Sequence, residues 1–143
     1  MSAGTHGEVL LQVADQLCAE LGFAGTEVPG ARSVLGVKGV MGGILGPEDE
    51  ALARRVREGL ARIATALGFS GEGPRARVVS VALDGAEMAL RGELVSGKAE
   101  QLPQLMPSLV FLVVLPLVDQ DRALELSART GELATIALGE AEE

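Results

Sequence analysis

The chain has 143 residues, the size of one domain, and 48% of them are apolar, with no Trp or Tyr and three Phe, so its core must be aliphatic. A formal charge of −8 speaks against nucleic acid, whose phosphates demand basic surfaces, and against an anionic membrane surface. One cysteine, Cys18, leaves no internal disulfide, and the most apolar run, Leu109 to Val118, is about half as long as the roughly twenty residues of a membrane-spanning helix.

The first residues, "MSAGTHGEVLLQ", have no basic flank and carry Glu8 inside the first apolar stretch. That pattern predicts no secretory signal and a cytoplasmic protein. Over 8–21, Leu10, Val13, Ala14, Leu17, Cys18 and Leu21 share one helical face, and Gly22 suits a C-cap. Cys18 reads as a small core hydrophobe, since no second Cys and no nearby His would activate it.

The stretch "GVKGVMGGILGPEDE", Gly36 to Glu50, is the most unusual. It fails the phosphate-loop pattern, because Lys38 is followed by Gly39 and Val40 rather than by Ser or Thr. It also fails the dinucleotide fingerprint G-x-G-x-x-G. Its G-x-x-x-G spacings sit beside Lys38 in a span too short for a membrane helix. The expectation is a hairpin over Gly36–Gly46, "SVLGV" and "VMGGI" turning at Lys38-Gly39. Gly46-Pro47 followed by Glu48, Asp49 and Glu50 then starts a helix.

That helix, 48–67, carries Leu52, Val56, Leu60, Ile63 and Leu67 on one face and stops at Gly68. Two strands follow the linker "FSGEGPRA": "RVVSVAL" and "AEMALRGELV", joined at Asp84-Gly85, a strong hairpin signal. Met88, Leu90 and Leu94 alternate with Glu87, Arg91 and Glu93 in the second. Ser96–Ser108 reads as a proline-marked connection. Leu109–Val118, apolar on every position, reads as a central strand covered on both sides. Asp119 or Asp121 caps a last helix over 120–138. The whole is one domain over 1–143, with 1–7 and 139–143 as frayed ends.

Catalytic ingredients are scarce. His6 is the one histidine and stands near the N-terminus. Ser80, Ser96, Ser108 and Ser127 have no histidine to activate them. Asp119 and Asp121 lack further oxygen ligands for a metal. No catalytic, cofactor-binding or metal-binding residue is assigned, and the chain is read as a non-enzyme. Arg54, Arg55, Arg57, Arg62, Arg75 and Arg77 fall among only Glu58 and Glu72, so residues 54–77 carry four net positive charges against −12 elsewhere. A solvated helix face explains them; so does a docking surface for an acidic partner or a second copy.

The element order is α-β-β-α-β-β-β-α. With the long second helix, "RVVSVALDGAEMALRGELV", and "SLVFLVVLPLVDQDRALEL" entering the last helix, the chain resembles the Roadblock family of dynein light chains and bacterial regulators of small Ras-like GTPases. The resemblance implies an α+β fold, a five-stranded antiparallel sheet sandwiched by helices. It implies a cytoplasmic homodimer pairing Glu48–Leu67 and Arg77–Leu83, with Arg54, Arg55, Arg57, Arg62, Val56, Leu60, Ile63, Arg77 and Val79 at the dimer or partner interface. It implies a non-catalytic scaffold that binds a small GTPase. The second reading is a small-molecule-sensing domain of GAF or profilin-like type, its pocket lined by the glycine-rich hairpin and by Ser96–Ser108.

Overall fold

A computed structural model describes residues 3–22, 45–97 and 101–142. These form five helices: α1 (Ala3–Glu20), α2 (Pro47–Ala66), α3 (Pro74–Val95), α4 (Leu102–Val114) and α5 (Gln120–Glu142). No strand occurs among the described residues. The expected α+β sandwich is therefore corrected to an all-helical fold. The hairpin expected over Gly36–Gly46 lies outside the described residues apart from Leu45 and Gly46.

Two expected strands and their turn are one helix, α3. Val79, Leu83, Ala86, Leu90 and Leu94 are buried, a spacing of four, three, four and four that only a helix brings onto one side. Asp84-Gly85 signals a turn because Asp bonds local backbone and Gly permits positive φ. Here the Asp84 carboxylate is taken by Arg57 of α2 at 2.6 Å, and Gly85 is not among the positive-φ glycines. The turn signal is overridden by a tertiary ion pair.

The apolar run is also helical. An all-apolar stretch carries no period, so burial on every side fits a central strand and a central helix alike. The segment before it decides: "LPQLMP" starts the helix at Leu102, with Pro103 in its first turn, where no backbone donor is needed. Pro107 lies inside α4 and denies the Pro103 carbonyl its usual donor. Centrality itself holds. Among the described residues α4 is the helix that touches all four others.

The helix ends follow from sequence. Pro47 opens α2 with Glu48, Asp49 and Glu50 in its first turn, complementing the helix dipole. It closes through Gly68, at φ +105°, with Phe69 N–H donating to the Ala64 carbonyl and Gly68 N–H to that of Thr65, both at 3.0 Å. That is a Schellman closure, and the Phe69 side chain buries beneath it. Asp119 caps α5, accepting from the Arg122 backbone N–H at 2.7 Å, as its position foretells.

Around α4 the other helices form an arc: α3 packs on α2, α2 on α1, and α1 on α5. Among the described residues the arc does not close, because α3 and α5 do not touch. One aliphatic core, from Val9 through Val56, Ile63, Leu83, Met106 and Val113 to Ala137, runs through all five. Where α1 crosses α2 the backbones come close. A Cβ added to Gly59 would stand 2.9 Å from the Ala14 Cβ.

Candidate functional site

Five charged side chains are buried where α2 meets α3: Glu50 and Arg57 from α2, and Asp84, Glu87 and Arg91 from α3. The Arg91 guanidinium donates to both Glu50 oxygens at 2.8 Å, the bidentate fork that makes such pairs strong. Its Nε donates to Glu87 at 3.1 Å. Arg57 reaches Asp84 at 2.6 Å and lies 3.9 Å from Glu87, so Glu87 stands between both guanidiniums. The Glu50 fork holds the Arg91 proton more firmly than usual. Charges this deep are tolerated only when paired. The bonds from Arg91 to Glu50 and from Arg57 to Asp84 cross between the helices and tie them in one rotation and one axial register.

A second feature is the outward face of α3. Val78, Val81, Gly85, Met88, Gly92 and Val95 fall at spacings of three, four, three, four and three, the a/d seam of a heptad pattern. Its four large side chains are 40% to 53% exposed. Beside it, Leu112 of α4 and Leu115 just past its end are exposed. The two helices form one apolar surface, since a Cβ on Gly85 would lie 3.8 Å from Leu112 Cδ2. The α4 sequence "LPQLMPSLVFLVV" holds no charged residue.

A cleft between α1 and α5, about 260 Å³, is lined by Gln12, Gln16, Arg129, Leu133, Ile136 and Glu140 among others. Its polar groups bridge the helices. Gln12 donates to Glu140 at 3.3 Å, and Arg129 grips Glu20 at 2.6 Å and Glu132 at 2.9 Å. The hydrogen bond from Arg129 holds the Glu20 carboxyl below its ordinary range, and Arg129 is raised in return. Among the described residues no three His, Cys, Asp or Glu side chains gather to hold a metal, and no helix is long and apolar enough to cross a membrane.

The residues singled out from sequence are dispersed. Val56, Leu60, Ile63 and Val79 are buried in the chain's own core, and Arg57 in the charge network. Arg62 is half-buried and bonds Asp15 of α1. Arg54, Arg55 and Arg77 are exposed. Ser127 donates to the Pro107 carbonyl at 2.9 Å, tying α5 to α4. Sequence reasoning missed Glu50, Asp84, Glu87 and Arg91 as a unit, and missed the α3 stripe. The signal for the first was Arg57 lying beside Val56 and one turn from Leu60, inside an otherwise apolar arc. The signal for the second was a second apolar row on "VVSVALDGAEMALRGELV", at heptad rather than strand spacing. No family model, curated protein or solved structure matches the chain.

Proposed function

We propose that the chain is a non-catalytic association module that pairs with a second copy of itself through the face formed by α3 and α4. The observation that carries this is the apolar stripe of α3, continuous with Leu112 of α4. Contiguous exposed apolar patches mark interaction surfaces. Three properties favour a second copy. The chain carries −8, so two copies repel unless they meet where charge is absent, and α4 has none. The stripe from Val78 to Val95 runs about 26 Å along α3, and exposed Leu112 and Leu115 widen it, so a second copy offers an apolar strip of matching length to cover it. A partner helix laid there also closes the arc over α4.

The charge network supports the same reading. It fixes the rotation of α3 from the inside, and so fixes which residues α3 shows outside. The GTPase-regulator expectation stood on a resemblance in element order that included five strands. The helical arrangement favours no such partner, and the proposal stops at self-association.

Light scattering across a concentration series tests it. The expected mass is twice the 14.7 kDa of one chain, falling to one chain in Val81→Glu and Leu112→Glu with helix content retained. A wild-type monomer at every concentration, as when residues 23–44 of the same chain cover this face, overturns the proposal. So does a dimer indifferent to both substitutions.

A further inference from the structure

Resting on that self-association, we infer that the two α3 helices run antiparallel about a two-fold axis between Gly85 and Met88. In this register Gly85 faces the second copy's Met88, Val81 faces its Gly92, and Val78 faces its Val95. The spacing of the six stripe positions reads the same from either end, so all six layers match in the antiparallel direction. Size then selects the register. In a parallel pair every residue faces itself, which leaves Gly85 and Gly92 opposite glycines and sets Met88 against Met88. Voids in one layer and bulk in the next destabilise an interface. In the antiparallel pair each glycine receives a side chain. Registers shifted by a heptad keep four layers of the six.

The glycines themselves argue for a close neighbour. A glycine inside a helix is unfavourable relative to alanine, so two on one exposed face call for a reason. At Gly92 the described residues supply none: beyond its own stretch of helix, none of their atoms lies within 4 Å of an added Cβ. Gly85 has only Leu112, at 3.8 Å. Both slots open outward, and Met88, long and adaptable, suits the one beside Leu112. An isologous two-fold contact of this kind closes on itself and makes dimers rather than filaments.

Cysteine pairing in the full-length chain decides the direction. Val78→Cys mixed with Val95→Cys is expected to form a cross-linked dimer under mild oxidation, and Val78→Cys alone is not. A size swap gives the second readout. Gly92→Leu is expected to weaken self-association at least tenfold while helix content stays, because the new side chain meets nothing in its own protomer. Adding Val81→Ala is expected to restore most of it, since the two positions face each other. Cross-linking of Val78→Cys with itself, or no rescue by Val81→Ala, overturns the register while leaving the dimer in place. A monomeric wild type removes the dimer and the register together.

Discussion

Two glycines with opposite surroundings show how little a residue's identity says without its neighbours. Gly59 faces Ala14 so closely that a Cβ there would stand 2.9 Å away, against an atom fixed to its own backbone. Gly59→Ala gains helix propensity of up to about 1 kcal/mol and loses it to the crossing of α1 and α2; Gly59→Val, which overpacks further, should destabilise by about 1–3 kcal/mol. Gly92 meets nothing, so Gly92→Ala should stabilise the dissociated chain by about 0.5–1 kcal/mol. Urea titrations of the three variants at concentrations below dimerisation check the signs; equal effects of alanine at 59 and 92 would contradict the packing described. Cys18 offers a pH readout. Burial pushes its thiol up to about 11 from an ordinary value near 9, so the folded chain keeps a proton that the unfolded chain loses. Its contribution is complete below pH 9 and disappears as pH rises towards 11. Melting temperature should therefore fall more steeply over that window in the wild type than in Cys18→Ala, and a thiol reagent at pH 8 should find Cys18 only after unfolding.

At the scale of elements, α3 was the hardest to read. Its inner face interrupts the apolar pattern with Asp84, Glu87 and Arg91, and its outer face replaces polar residues with Val and Met. A helix with charge inside and apolar side chains outside inverts the usual amphipathic code, and Asp84-Gly85 completed the appearance of a hairpin. The caps of α2 and α5 were legible, because Pro47, Gly68 and Asp119 act on the adjacent backbone and need no tertiary knowledge, whereas Pro74 and Pro103, in the first turns of α3 and α4, read as linker. For α4 the wrong element still gave the right place: Val113 and Val114 are both buried, as a central element demands, while exposed Leu112 and Leu115 reveal the helical period. The charge network makes the pairing of α2 and α3 testable. Arg91→Met should cost about 3–5 kcal/mol, because it removes from a buried site the guanidinium that both Glu50 and Glu87 bond. Glu50→Gln combined with Arg91→Met should cost less than the sum of the two single changes, since each removes a reason for the other. Strict additivity in denaturation, or a loss below 1 kcal/mol for Arg91→Met, would show that the pairing is not made in solution.

The described helices form an open arc around an axis, α4, whose sequence holds no charged residue. Sequence reasoning reached its composition, its aliphatic core and the position of three helices, 8–21, 48–67 and 120–138. It missed the outward face, because exposure is a property of how helices close around one another and no single stretch encodes it. The arc has a kinetic consequence. The α4 and α5 helices are joined by Leu115–Asp119 and can pack as a local hairpin as soon as both exist. By contrast α1 is held to α2 by Asp15–Arg62, 47 residues apart, and to α5 by Glu20–Arg129, 109 apart, and Gln12–Glu140, 128 apart. Contacts so distant in sequence form after the loop between them has been closed, which is slow. So α1 should be the last helix to dock and the first to leave. In native-state hydrogen exchange its amides should open at lower denaturant than those of α4, and a destabilising change at Gln12 or Arg129 should speed unfolding while leaving the refolding rate of the remaining helices almost unchanged. Protection of α1 equal to that of α4 would mean that the five helices assemble in one step, with the longest loop closed as early as the shortest.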